Sequence, residues 1–204
     1  MMPSRIALFI SGRGSNMTAI AEHIRDGSLS AEIAFVAADR EGAPGIETAR
    51  TLGLPTVVCS YAELGRERAE RALAAAVHEH LASWIVLAGF MRVLSASFVH
   101  EFAERIVNIH PSLLPAFPGS EAIRQAWDYG VKVTGVTVHL VDERVDHGPI
   151  LAQAAVPIEE NDTPARLEER IHCVEHDLYW RCLKDLLEGR FTKTGRRRMR
   201  REHP

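Results

Sequence analysis

No stretch of this chain approaches the roughly 18 to 20 consecutive apolar residues that a membrane-spanning helix needs. The opening MMPSRIALFISG has an apolar segment too short for a secretory leader and no A-x-A cleavage pattern. Cysteine is scarce and odd in number: Cys59, Cys173 and Cys182 include no C-x-x-C pair. That argues against a disulfide framework and against a structural zinc site, and it fits a reducing compartment. The 10 histidines show no H-E-x-x-H or comparable spacing, so no metal is expected. Among them His78, His80 and His203 read as ordinary solvated side chains. A formal net charge of −3 provides no basic field of the kind that nucleic-acid binders carry. These absences lead to the expectation of a soluble, cytoplasmic protein that binds neither membrane nor nucleic acid. The one charge block is the terminal GRRRMRREHP, with Arg196, Arg197, Arg198, Arg200 and Arg201. Like charges this dense repel, so 191–204 reads as a disordered basic tail.

What is present is an alternation of two periods. Apolar runs at 5–10, 33–37, 56–59, 84–89 and 105–109 read as strands. Helical patterns fall between them, at the Met17, Ile20, Ala21, Ile24 face, at 45–52, at 66–81 and at 95–102. Short apolar strands alternating with helices imply crossover units, hence a mostly parallel twisted sheet covered by helices on both faces. Such sheets bind ligands outside the carboxyl ends of their strands. The later part changes character. At 131–141 Val136, Val138 and Leu140 alternate with Thr137 and His139, and GPILAQAAVPI follows after a short link, so an antiparallel pair is expected. From 163 to 187 one helix carries Leu167, Ile171, Val174, Leu178, Cys182 and Leu186 as its apolar stripe. With 204 residues and no internal repeat or long linker, 1–190 reads as a single α/β domain with an antiparallel C-terminal portion.

Three polar interruptions carry chemistry. SGRGSN, 11–16, follows a strand and opens a helix, where Gly12 and Gly14 let backbone amides converge on an anion. It lacks the third glycine of a dinucleotide fingerprint, and Asp39 is the nearest acidic residue to the expected position. The Gly-Lys-Ser/Thr of a triphosphate loop is absent as well. A single phosphate suits it, although a plain tight turn reads equally well. Asn108 and His110 end a strand at i and i+2 and so share one face. An amide donor beside an imidazole can hold an oxyanion while the ring handles a proton, and Pro111 restricts the histidine. A buried histidine satisfying a backbone carbonyl is the plainer alternative. Asp146 lies in DERVDHGPI, where a turn-forming aspartate is equally reasonable. A carboxylate beside the imidazole would raise the histidine pKa and keep it charged. Glu175 and His176 sit beside the apolar stripe of the last helix and read as edge residues.

The order and spacing of SGRGSN, LAGFMRVLS, NIHPSLLPAFPG, GVTVHLVDERVDHGPILAQ and VEHDLY are specific. The chain resembles the phosphoribosylglycinamide formyltransferase family from about residue 5 to about residue 190. The resemblance implies a formyltransferase, Rossmann-like fold with a phosphate-binding half at about 1–105 and a folate and catalytic half at 106–190. It implies transfer of a formyl group from 10-formyltetrahydrofolate to the amine of glycinamide ribonucleotide, in purine biosynthesis, with no metal. Asn108, His110 and Asp146 would be catalytic, and Gly14, Ser15 and Asn16 would hold the phosphate. Glu175 would contact the glycinamide substrate. Arg66, Met91, Arg92, Val93, Leu94 and Asn108 would line the folate side, the loop from 142 to 148 would lie near the pterin, and His139 is a candidate supporting group. A homodimer is left open. Two departures from the family pattern stand out: Glu121 where a histidine is frequent, and Ala38-Asp39 where Ser-Asn is expected. Within the same fold, formyltetrahydrofolate deformylase is the nearest rival, but it carries an added N-terminal domain and tends to have histidine where this chain has Pro111. Methionyl-tRNA formyltransferase is larger. From other classes, a catalytically silent nucleotide sensor is opposed by the joint presence of Asn108, His110 and Asp146, and a nicotinamide oxidoreductase by the glycine spacing.

Overall fold

The computed structural model describes residues 3–194 and 197–200. Seven strands form one mixed sheet in the order Thr56–Val58, Ala31–Ala38, Ser4–Ile10, Trp84–Leu87, Ile106–His110, Val133–Leu140, Ile150–Pro157, as the alternation of periods predicts. The chain divides into two compact units, Met1–Val107 and Asn108–Pro204, and the boundary falls inside strand β5 (Ile106–His110).

The first unit runs β1 (Ser4–Ile10), α1 (Ser15–Arg25), β2 (Ala31–Ala38), α2 (Pro44–Thr51), β3 (Thr56–Val58), α3 (Tyr61–Glu79), β4 (Trp84–Leu87) and α4 (Ala96–Glu101). Strand β1 pairs in parallel with β2 and β4, and β2 with β3. Ile6, Ala7, Leu8, Phe9 and Ile10 are all fully buried. An unbroken apolar run is what a parallel strand covered on both faces requires. Phe9 meets Phe90 edge-on at 5.4 Å between ring centroids, with Phe35 at 6.2 Å and Phe98 at 6.3 Å. The turn from β1 to α1 is built on close approach. Gly14 has φ 74° and caps α1, while the Gly45 amide donates to the Gly12 carbonyl at 3.0 Å. A Cβ on Gly45 would come within 2.5 Å of Ile10 Cδ1, so α2 can back this loop only through a glycine. Helix α3 is regular only from Arg66 onward, because Gly65 at φ 72° breaks its first turn.

The second unit runs from the end of β5 through α5 (Ala122–Tyr129), β6 (Val133–Leu140), β7 (Ile150–Pro157), α6 (Pro164–Leu187), β8 (Phe191–Thr194) and β9 (Arg197–Arg200). Strands β6 and β7 are antiparallel, with Thr137 opposite Gln153, as the short link implies. Both faces of β6 are covered: Val136, Thr137, Val138 and His139 are all buried, so its alternation is not one of inside and outside. The sequence pattern does not announce α5, whose buried side chains are only Ala122 and Ala126. Ala122, Ile123, Ala126 and Trp127 do share one face, but the helix is only 8 residues long, too short for its period to stand out.

Helix α6 starts at an N-cap, Thr163 accepting from the Arg166 amide, with Pro164 in the first turn, a favoured beginning. Its buried face is Leu167, Ile171, Glu175, Tyr179, Cys182, Leu183 and Leu186. Val174 and Leu178, expected in the stripe, are half-buried, and Glu175 lies in the stripe itself. The basic tail expected to be disordered is 191–204. There 191–194 and 197–200 pair antiparallel, Phe191 opposite Arg200 and Thr194 opposite Arg197. Residues 195–196 and 201–204 lie outside the described part.

Candidate active site

Four of the expected residues converge within the second unit. Strand β5 delivers Asn108 and His110, β6 delivers His139, and the loop after β6 delivers Asp146. His110 is 5% exposed. Its Nε2 lies 2.8 Å from the Phe117 carbonyl oxygen; a carbonyl can only accept, so this nitrogen carries a proton. Its Nδ1 lies 3.3 Å from Asp146 Oδ2. His139 Nδ1 donates to its neighbour, the Leu140 carbonyl, at 2.9 Å. In the neutral ring Nε2 accepts from the Asn108 amide, 3.2 Å away, and in the charged ring its proton faces Asp146 Oδ1 at 3.6 Å. The bond from Asn108 orients the Asn108 side chain and leaves its second N–H for another partner.

Asp146 is tied from three sides. The Gly119 amide donates to Oδ2 at 2.7 Å, His139 Nε2 lies 3.6 Å from Oδ1, and His110 faces Oδ2. Burial pushes its carboxyl up, but His139, the Gly119 amide and His110 outweigh burial and hold its pKa below the ordinary value. Asp146 is therefore ionised at neutral pH. The backbone there is strained, with φ 49° on a non-glycine residue, and the turn depends on Gly148. A Cβ on Gly148 would lie 1.8 Å from the Leu140 carbonyl oxygen. The rest of the loop is fastened by His147, whose Nδ1 meets Asp142 Oδ2 at 2.8 Å and whose ring also meets Arg144.

The influences on the His110 ring oppose one another. Asp146 does raise the pKa of His110, and so does the Phe117 carbonyl, but desolvation is the largest influence and the net direction is downward. A ring this buried loses more hydration on charging than one carboxylate 3.3 Å away returns.

In the first unit Gly14 supplies the left-handed cap of α1, Ser15 opens the helix, and Asn16 is buried in its first turn. Arg66 on α3 donates from Nη2 to the Val93 carbonyl at 2.8 Å and pairs through Nε with Glu70 at 3.1 Å. Glu70 in turn accepts from the Ser95 amide at 3.0 Å and from its hydroxyl. Arg66 and the segment Met91, Arg92, Val93, Leu94 are thus one connected group. Met91 is 74% and Val93 58% exposed, whereas Leu94 is buried. Arg92 stands 5.2 Å over the Tyr61 ring with its Nε 2.5 Å from Asp39 Oδ2. Asp39 directly follows β2 and is buried, so the departure from the family pattern there fixes an arginine. The other departure, Glu121, is the exposed, left-handed N-cap of α5. Glu175 is placed on the buried face of α6, away from the surface edge that its pattern suggests. Thr137, Gln153 and Asp39 escape the sequence reading as site residues; the available signal is a polar residue at a fully buried or cross-strand position. Among the described residues no group of three or more His, Cys, Asp or Glu side chains could hold a metal, and no helix is long and apolar enough to cross a membrane.

Comparison with known proteins agrees with this geometry. The formyl transferase family profile matches residues 4–183. Phosphoribosylglycinamide formyltransferase of Bacillus subtilis (strain 168) is 41% identical over 184 residues, 90% of this chain and 94% of that protein. The crystal structure of glycinamide ribonucleotide transformylase 1 from Symbiobacterium toebii superposes with a TM-score of 0.94 at 42% identity, covering 98% of this chain and 95% of that one. A formyltetrahydrofolate deformylase from Pseudomonas syringae pv. tomato has a TM-score of 0.92 at 26% identity, with 98% of this chain covering 66% of that one. The chain belongs to the formyl transferase family, in its phosphoribosylglycinamide formyltransferase group.

Proposed function

We propose that the chain transfers the formyl group of 10-formyltetrahydrofolate to the amine of glycinamide ribonucleotide, with Asn108, His110 and Asp146 as its catalytic residues. One observation carries this reading. His110 faces Asp146, and Asn108 is linked to the same carboxylate through His139, in a chain 41% identical, along nearly its whole length, to an enzyme named for that transfer.

The amine attacks the formyl carbon, and the carbonyl oxygen becomes an oxyanion. The free Asn108 N–H and the His110 Nε2–H donate to that oxygen, each such donor contributing on the order of 3 kcal/mol. His110 carries a proton at Nε2, where it faces an acceptor. Ionised Asp146 accepts a proton from the amine, directly or through water. The C–N10 bond breaks, and the proton lost by the amine ends on the folate nitrogen. Before this, the Phe117 carbonyl yields its place at Nε2 to the formyl oxygen, a one-for-one exchange of acceptors. Gly14, Ser15 and Asn16 bind the ribonucleotide's phosphate at the start of α1, Glu175 meets the glycinamide portion, and Arg66 with the segment 91–94 lines the folate side. The setting is the cytoplasm, where these metabolites are made.

The decisive measurement incubates purified protein with 10-formyltetrahydrofolate, with and without glycinamide ribonucleotide, and follows the folate product. Product that requires the ribonucleotide supports the transferase. Equal product without it would mark a deformylase, the reading that the Pseudomonas neighbour raises, and no product in either case would mark a binding protein.

A further inference from the structure

Gln153, the last residue of the GVTVHLVDERVDHGPILAQ motif, has no task in the mechanism above. It is exposed on β7, opposite Thr137 on β6. Its Nε2 donates to the Leu114 carbonyl at 3.0 Å and to Thr137 Oγ1 at 2.9 Å. The carbonyl can only accept, which settles which end of the amide faces inward. The Thr137 hydroxyl is fully buried, donates to the Ser112 carbonyl at 2.7 Å, and accepts from the Leu114 amide at 3.0 Å. One proton and two lone pairs are all used. Leu114 is therefore gripped at both its N–H and its C=O.

The grip continues along the loop. Ser112 Oγ donates to the Ala116 carbonyl at 2.5 Å, and the Ala116 amide to the Leu113 carbonyl at 3.0 Å. Leu113 fits over Gly135, where a Cβ would come within 2.6 Å of Leu113 Cδ2. The chain that leaves this floor is the Phe117 to Gly119 stretch, which supplies the carbonyl on His110 and the amide on Asp146.

We infer that Gln153 is a positioning residue for formyl transfer, fastening the floor of the 112–116 turn so that Phe117 and Gly119 hold His110 and Asp146 in one arrangement. The inference rests on the formyl-transfer reading and adds to it a residue that touches neither substrate. Gln153 acts through two hydrogen bonds and fills no core volume, so its replacement separates alignment from folding.

The test uses the full chain carrying Gln153→Leu or Gln153→Glu, with steady-state kinetics, melting curves and amide hydrogen exchange. In Gln153→Leu, kcat is expected to fall at least about tenfold, as modest misalignment of reacting groups does. KM for the ribonucleotide should stay within about twofold and the melting temperature within about 3 °C, while exchange at the Leu114 amide accelerates. In Gln153→Glu an ionised carboxylate cannot donate to Leu114, but its protonated form can. The ratio of its kcat to wild type should therefore climb severalfold from about pH 8 to about pH 5, a signature that a general loss of stability would not produce. Wild-type kcat in Gln153→Leu, or a ratio for Gln153→Glu that ignores pH, overturns the inference. If the wild-type protein transfers no formyl group, the functional reading fails by itself. Leu114 exchange then still decides the tie: unchanged exchange in Gln153→Leu overturns it.

Discussion

His110 and Asp146 face each other at 3.3 Å, and both are held by backbone groups of one loop. The Phe117 carbonyl takes the far nitrogen of the ring, and the Gly119 amide takes the same carboxylate oxygen that faces the ring. A change in the loop therefore reaches both residues at once, and a change of charge on either is felt by the loop.

His110→Ala and Asn108→Ala should each lower turnover at least about 100-fold, because each removes one donor to the oxyanion. Asp146→Asn should do the same by removing the proton acceptor. Steady-state kcat on purified, folded variants is the check. Near-wild-type turnover in Asp146→Asn would sink the role given to that carboxylate.

The direction of the His110 shift yields a titration test. Its folded pKa lies below the ordinary histidine value of 6.5, so in the window between the two values the unfolded chain binds more protons than the folded one. Stability must then rise with pH through that window, and protonating His110 opposes folding at lower pH. Asp146 acts in the same direction at lower pH: its depressed pKa adds stability above about pH 4 that is lost as pH falls through the folded value. In Asp146→Asn the main influence raising the His110 pKa disappears, so the ring should titrate lower still. Proton resonances of His110 followed against pH measure this, and an upward move would contradict the desolvation argument.

Gly148→Ala would press a methyl group into the Leu140 carbonyl, two backbone segments that cannot both stay in place. The cost should reach or exceed the upper end of the ~1–3 kcal/mol typical of overpacking. Denaturant midpoints measure it, and Asp146, two residues earlier, should lose its alignment even where the variant folds.

Asp39→Ala should leave Arg92 stacked on Tyr61 but without the carboxylate that fixes its Nε edge. On the folate-side assignment, KM for the formyl donor rises severalfold with little change in kcat, the pattern of lost ground-state binding. A fall in kcat at constant KM would place Arg92 elsewhere in the reaction.

Much of this was readable in the sequence, and the rest was hidden for identifiable reasons. Parallel strands buried on both faces leave apolar runs such as IALFI, and strand ends with Gly, Asn or His mark the edge where ligands bind. Helix α5 is easily missed because its 8 residues give the Ala122, Ile123, Ala126, Trp127 face barely two turns in which to repeat. Glu175 reads as an edge residue because a carboxylate in a buried stripe looks like a gap in it. The protonation of His110 could not be read at all: it is a balance between burial and one neighbouring charge, and spacing along the chain measures neither. Gln153 is invisible for a related reason. Its importance lies in where its amide points across the strand pair, and an exposed glutamine on an edge strand is otherwise unremarkable.

The Phe117 carbonyl on His110 bears on inhibitor chemistry. A compound that offers this ring only a neutral carbonyl replaces an acceptor already in place, and at most about 1 kcal/mol can follow from that exchange. A ligand with an anionic or tetrahedral oxygen at the same point forms a charge-assisted bond worth roughly 1.5–3 kcal/mol. Affinity at this histidine should therefore track the charge on the competing oxygen far more than the neatness of its fit.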